Sequence, residues 1–154
     1  MIWCRRQVDA GPRRHICLYS IGLMIVFLIA GVGQAETGKP PDPQSAARGQ
    51  QLYDAHCTAC HRRDGTGEPI VPWSIRRNGL IEAMPLDETS HAWHHSDEQL
   101  VGMILDGTPR SRKRMPVWRN ILSERDADDL VAYLKSLWSP RIVSCQGPKH
   151  MDCM

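Results

Sequence analysis

Several features that mark common enzyme classes are missing from this chain of 154 residues. No stretch alternates between polar and apolar residues as a half-buried strand would, and no segment repeats, so neither a β-sheet nor a repeat architecture is expected. No glycine-rich phosphate loop and no pairing of a nucleophile with a base stands out. We therefore expect a protein that is not an enzyme by itself.

An excess of positive charge is missing as well. The formal net charge of the whole chain is +2, and residues 1–35 contain four arginines but only one acidic residue. Residues 36–154 hold 15 basic and 16 acidic side chains. Such a balance does not suit binding to nucleic acid, so we expect no nucleic-acid partner.

The chain does have six cysteines, and two of them lie in Cys57-Thr58-Ala59-Cys60-His61. The spacing C-x-x-C-H is typical of covalent c-type haem attachment. Two thiols three positions apart lie on one side of a helical turn, where each can add to one vinyl group of the same porphyrin. His61 can then bind the iron as the axial ligand beneath the ring. The motif occurs once, so we expect one haem.

Other uses of a C-x-x-C pair are less consistent with this sequence. A redox pair is typical of a βαβ unit, which the chain does not show. A zinc site needs a second Cys/His pair at matching spacing, and Cys145 and Cys153 offer only a poor one.

The first 35 residues are predicted to be an export segment. Arginines come first, a mostly apolar run follows, and Gly33-Gln34-Ala35 would allow a signal peptide to be cleaved after Ala35. Residues 16–33 are also about long enough to span a bilayer, so an uncleaved membrane anchor is the alternative. In either case the haem domain lies outside the cytoplasm, in an oxidising compartment that suits six cysteines. We predict a periplasmic location.

The rest of the chain divides into a proline-rich linker over 36–44, a haem domain over 45–140 and an irregular tail over 141–154. Asp42 and Pro43 predict a helix that runs to about Ala59. Two capping boxes predict further helices, one opening at Ser96 and ending at Gly107, the other opening at Ser123 and ending before Pro140. The sequence therefore predicts an all-α fold of three to four helices wrapped around one haem.

These pieces resemble the class I cytochrome c family over about residues 44–138, with a weaker likeness to a bacterial mono-haem subgroup. Gly49 and Tyr53 precede Cys57 by eight and four residues, as in the first helix of that family, and residues 129–135 look like its last helix. The resemblance implies that Gly49 lets these two helices cross at close range. It places three further residues at their contact: Tyr53, Leu130 and Tyr133.

The resemblance also implies a methionine as the sixth iron ligand, from the loop before the last helix. Met115 lies there, and Pro116 holds the residue before it in an extended conformation. Met84 also precedes a proline and is the second candidate, whereas we expect Met103 to be core packing. Three histidines are rivals that would give a bis-histidine iron, unless one of them bonds a haem propionate and the rest form a polar surface: His91, His94 and His95.

Three further expectations concern the surroundings of the haem. The second ring nitrogen of His61 should donate to a backbone carbonyl near Pro69 or Pro72, because such bonds orient a ligating imidazole. The basic residues around Met115 would attract an acidic redox partner, unless they only form a solvated loop; they are Arg110, Arg112, Lys113, Arg114 and Arg119. Cys145 and Cys153 should form a disulfide, or alternatively bind a soft metal with His150 and Met151.

Together these observations predict a periplasmic mono-haem c-type cytochrome that carries single electrons between redox partners. Two alternatives remain at the level of sequence. One is an electron-entry subunit of a membrane or periplasmic dehydrogenase or oxidase. The other is a haem sensor or copper-handling protein that uses the histidines and the C-terminal cysteines.

Overall fold

The structure, a computed structural model, describes residues 36–70, 72, 82–107 and 115–154, which belong to one compact unit. These residues contain no β-strand, which confirms the predicted all-α class. Nor does any helix among them have the length and apolar composition needed to cross a bilayer. The predicted export segment over 1–35 lies outside the described residues. The helices are α1 (Pro43–His56), α2 (Thr58–His61), α3 (Asp97–Asp106), α4 (Glu124–Ser136) and α5 (Pro140–Ser144), with 3₁₀ helices at Ala92–His94 and Gly147–Cys153.

The first helix begins where its capping residues predict and ends earlier than expected. The Asp42 carboxylate accepts a hydrogen bond from the Ser45 amide at 2.8 Å, and Pro43 occupies the first helical position. The helix ends at His56 because Cys57 caps it with φ −113° and ψ −27°. The chain then starts the short helix α2, so the predicted continuous helix to Ala59 is interrupted at Cys57.

The two capping boxes predicted from the sequence are both present. The Ser96 hydroxyl accepts from the Gln99 backbone amide at 3.2 Å, and the Ser96 backbone amide donates to the Gln99 side-chain oxygen at 3.0 Å. Ser123 and Asp126 make the same reciprocal pair at the start of α4. These bonds satisfy amide groups that a helix N-terminus otherwise leaves without a partner, which fixes where α3 and α4 begin.

Helices α1 and α4 make the most extensive helix contact, and they cross at Gly49. A β-carbon on Gly49 would lie 1.9 Å from the Asp129 carbonyl oxygen, so only glycine fits between the two backbones. Tyr53 and Tyr133 pack beside the crossing with ring centroids 4.9 Å apart, and Leu130 is buried with them. The predicted contact of the first and last helices is therefore confirmed.

A buried ion pair fixes the segment before α1 onto the helical core. The Lys135 side chain is 1% exposed, and its ammonium donates to the Asp97 carboxylate at 2.9 Å and to the Glu36 carbonyl at 2.7 Å. The Thr37 hydroxyl also accepts from the Asp97 backbone amide, and the Gly38 backbone amide donates to the Gln146 side-chain oxygen. Residues 36–38 of the predicted linker thus lie bonded to the domain.

The sequence predicted an irregular tail after α4, and this was wrong: the tail folds into α5 and the second 3₁₀ helix. Ser139 caps α5 and Pro140 occupies its first position, so this proline begins a helix as well as following one. The side-chain Nε2 of Gln146 donates to the Asp97 carboxylate at 2.6 Å and to the His95 carbonyl at 3.1 Å. The tail is therefore packed against the start of α3.

Candidate functional site

The two thiols of the motif lie on a single turn that starts at the end of α1. Cys57 caps both α1 and α2, and its carbonyl accepts from the amides of Cys60 and His61 at 3.2 and 2.9 Å. This turn places Cys57, Cys60 and His61 next to one another, with Cys60 exposed and Cys57 partly buried. Burial raises the pKa of the Cys57 thiol to about 11, and the neighbouring Cys60 adds to the rise.

The ring of His61 is oriented by a backbone carbonyl. Its Nδ1 lies 3.0 Å from the carbonyl oxygen of Met84, so Nδ1 carries the proton and donates it. Nε2 is left with its lone pair, which is the form that binds a metal. Burial lowers the pKa of His61 and thereby favours the neutral ring. A carbonyl acceptor was predicted, but its predicted place near Pro69 or Pro72 was wrong: the acceptor precedes Pro85.

Two hydrogen bonds between Glu68 and Ala83 hold the segment that carries the Met84 carbonyl behind His61. The Gly67 amide donates to the His61 carbonyl at 3.1 Å, and the Glu68 amide donates to the Ala83 carbonyl at 2.9 Å. The Glu68 carboxylate in turn accepts from the Ala83 amide at 2.8 Å. Two segments far apart in sequence are thus joined directly beside the imidazole. Because two of these three bonds join backbone groups only, no side-chain pattern in the sequence could have identified them.

The residue after the motif adopts an unusual backbone conformation. Arg62 has φ +59°, which residues other than glycine rarely adopt. The Tyr53 hydroxyl donates to the Arg62 carbonyl at 2.8 Å, so the helix crossing stabilises the sharp turn out of α2. Such strain persists only where surrounding contacts fix it, and it concentrates at functional sites.

Met115, the predicted sixth ligand, lies beside the end of α3. It is partly buried and packs against the hydrophobic core. Its carbonyl lies next to Gly107, where a β-carbon would meet it at 2.8 Å. Met84, the second candidate, is 39% exposed and has its carbonyl on the His61 side. Met103 lies in α3.

The predicted basic surface is only partly within the described residues. Arg110, Arg112, Lys113 and Arg114 lie outside them. Arg119 is described, and it forms a bidentate ion pair with Asp106 at 2.7 and 2.8 Å. Both side chains of this pair are exposed, and attraction of an acidic partner by the basic residues stays a prediction.

The histidines between 91 and 95 meet a histidine of the tail. The rings of His94 and His150 are stacked, with centroids 4.4 Å apart and an angle of 17° between the planes. His91 lies 5.8 Å from His95 and 6.1 Å from His94, measured between ring centroids. Within the described ranges no three side chains of His, Cys, Asp or Glu are grouped so that they could hold a metal ion.

Cys145 and Cys153 form a disulfide, as the sequence favoured. Neither sulfur is then available as a thiolate, which a soft metal would need. His150 donates from Nδ1 to the Gly147 carbonyl at 2.7 Å, and Met151 is 65% exposed. The alternative of a soft-metal site in the tail is therefore not supported.

We expect the histidine cluster to make stability depend on pH. Burial, followed by neighbouring histidines, lowers the pKa of both His94 and His95 below the ordinary value of about 6.5. The unfolded chain then binds protons at a higher pH than the folded protein, so the free energy of unfolding falls as pH decreases from about 7 to about 5. Denaturant titrations at these pH values measure the slope.

The matched variant for this prediction is His94→Gln. It removes the ring that stacks on His150 and keeps a polar side chain in its place. We expect a flatter pH dependence between pH 5 and pH 7, on the order of that one titrating group. An unchanged slope in the variant would contradict the prediction.

The donor set fits a porphyrin joined through two sulfur links. It consists of two thiols one helical turn apart, followed directly by an imidazole whose Nε2 is available and whose Nδ1 is bonded to a carbonyl. These are the groups that c-type haem requires of a protein. The site and the helical fold thus define a protein that binds haem covalently.

Comparison with known proteins agrees with this class. The sequence profile described as cytochrome c matches residues 46–138, and the chain belongs to this family as a class I c-type cytochrome. A solved structure titled "c-type cytochrome NirC" is 27% identical, covers 62% of this chain and 94% of that one, and has a TM-score of 0.43. Another, titled "KustC0563 c-type cytochrome", is 26% identical, covers 59% and 98%, and has a TM-score of 0.44.

Proposed function

We propose that this chain is a periplasmic mono-haem c-type cytochrome that carries single electrons between redox partner proteins and is not itself an enzyme. The observation that carries the proposal is the turn of α2, where Cys57 and Cys60 would hold the porphyrin and His61 would bind the iron. When bound, haem c supplies a one-electron couple at its iron. Membership of the cytochrome c family supports electron transfer as the function.

We assign Met115 as the second axial ligand. Met84 fits the role less well, because its carbonyl bonds Nδ1 of His61 and its backbone therefore lies behind the imidazole, away from the iron. Met84 would thus orient His61, and Met115 would supply the second ligand of the iron. With the iron held by both His61 and Met115, no substrate would need to reach the metal, which suits an electron carrier.

Replacing Met115 with alanine should remove the weak sulfur–iron charge-transfer band of the oxidised holoprotein. We expect the band to be absent from Met115→Ala and present in the matched variant Met84→Ala, since only the first would lose the thioether ligand. Visible and near-infrared spectra of both purified holoproteins measure this. If Met115→Ala kept the band and Met84→Ala lost it, the ligand assignment would be reversed.

Binding of carbon monoxide tests the carrier against a haem sensor. The ferrous parent protein should resist carbon monoxide because both axial positions are occupied, whereas Met115→Ala should bind it readily. Ready binding by the parent would favour a sensor with an open position. Co-purification with a larger enzyme would instead favour an electron-entry subunit of a dehydrogenase or oxidase.

We also propose that residues 1–35 direct export, with cleavage after Ala35. The Cys145–Cys153 disulfide supports an oxidising compartment, because such bonds are rare in the cytosol. The N-terminal sequence of the mature protein tests the cleavage.

An acidic redox partner at Arg110, Arg112, Lys113 and Arg114 remains a proposal from the sequence, and the salt dependence of electron-transfer rates would test it.

A further inference from the structure

The segment that carries Met115 is fixed at the C-terminal end of α3. Gly107 and Met115 are eight positions apart in the sequence, yet their backbones touch: a β-carbon on Gly107 would lie 2.8 Å from the Met115 carbonyl oxygen. Gly107 also has φ +68°, a conformation that side chains other than glycine rarely adopt. This contact places Met115 directly beside the last turn of α3.

Two backbone bonds extend the same attachment beyond Met115. The amides of Trp118 and Arg119 both donate to the Leu105 carbonyl, at 2.9 and 3.1 Å. Leu105 is 1% exposed and belongs to the core, so these bonds join the segment to a rigid part of the protein. The Trp118 ring also lies 5.2 Å from the ring of His56, which directly precedes Cys57.

The Asp106–Arg119 ion pair completes this attachment with a charged contact. Arg119 Nε and Nη2 donate to the two carboxylate oxygens of Asp106 at 2.7 and 2.8 Å. Asp106 is the last residue of α3, and the last turn of that helix contains no basic residue. An acidic side chain is unfavourable at this negative end of the helix macrodipole unless a cation compensates it. Arg119 supplies the cation from the segment that carries Met115.

We infer that Arg119 is a positioning residue for the sixth ligand, which it keeps in place through its ion pair with Asp106. The inference rests on the proposed function, because it takes Met115 as the ligand. An external ligand can bind the iron only while the thioether is displaced. Loss of the ion pair loosens one end of the Met115 segment. It thereby raises the fraction of time in which the thioether is displaced and an external ligand can bind the iron.

Imidazole is the probe for this fraction. We expect ferric holoprotein carrying Arg119→Gln to bind imidazole about threefold to fivefold more tightly than the parent, the size of one well-made exposed ion pair. The matched control is Arg125→Gln, which removes one positive charge from the exposed face of α4 and should leave imidazole affinity unchanged. The exchanged pair D106R/R119D should return the affinity toward that of the parent.

Three results would separate the possible failures. Equal imidazole affinity in Arg119→Gln and Arg125→Gln would overturn the positioning role. If Arg119→Gln bound imidazole more tightly but D106R/R119D did not return the affinity toward that of the parent, pairing with Asp106 would not be the cause. A charge-transfer band that persists in Met115→Ala would overturn the proposed ligand itself, and this is measured without any variant of Arg119. Thermal melting of each holoprotein identifies a general loss of stability.

Discussion

Gly49→Ala is expected to lower the free energy of unfolding of the holoprotein by about 3 kcal/mol or more, toward the upper end of overpacking effects. The added β-carbon would lie 1.9 Å from the Asp129 carbonyl oxygen and 2.5 Å from its carbon. Both are backbone atoms of α4, so no side-chain rotation can relieve the clash and the helices must separate. Separation would also weaken the packing of Tyr53 on Tyr133. Denaturant unfolding followed by circular dichroism measures the loss.

Gly102→Ala is the matched control, because Gly102 is also a helical glycine. A β-carbon there would meet no other heavy atom within 4 Å. We expect this variant to gain about 0.5–1 kcal/mol, the usual difference between alanine and glycine inside a helix. The two substitutions are chemically identical, so the opposite effects that we expect would come only from what surrounds each glycine. A Gly49→Ala protein as stable as the parent would mean that α1 and α4 do not cross as described.

The second large effect concerns the two thiols of α2. We expect Cys57→Ser/Cys60→Ser, produced in a cell competent for cytochrome maturation, to carry no haem after denaturation and acid extraction. A serine hydroxyl cannot form the thioether that would hold the porphyrin once the fold is lost. The absorbance of the denatured chain measures covalent haem directly, and retention of the parent's colour would exclude attachment at these residues.

Cys145→Ser/Cys153→Ser provides the control with the same residue types. These two cysteines already form a disulfide in the tail and should not contribute to haem attachment. We expect the denatured control to keep its full haem content. Its folded form should lose about 2–4 kcal/mol of stability, because the unfolded chain is no longer restricted by the cross-link.

The sequence predicted best what depends on neighbours along the chain. The caps at Asp42, Ser96 and Ser123 are local hydrogen bonds, and each helix begins where they place it. The C-x-x-C-H spacing similarly places its three groups on one helical turn. The tail shows the limit of this approach, because a helix as short as α5 leaves little periodicity to detect.

The contacts around the site were harder to predict because they join distant parts of the chain. The sequence indicated a carbonyl acceptor for His61, but any segment could have supplied it, and the fold selected Met84. Lys135 and Asp97 look like ordinary surface charges in the sequence, and only the packing of residues 36–38 and Gln146 onto them buries them together. Arg119 likewise resembles its basic neighbours until Asp106 compensates its charge.

The sequence by itself determined the helical class, the starts of the main helices and the single turn that carries the C-x-x-C-H motif. These follow from periodicity, from caps and from spacing within one turn, which are all local properties. Only the tertiary structure decided which carbonyl orients His61, which charges become buried and which arginine is bound in an ion pair. Each of these pairs residues far apart in the chain, and their proximity comes from the folding of the whole domain.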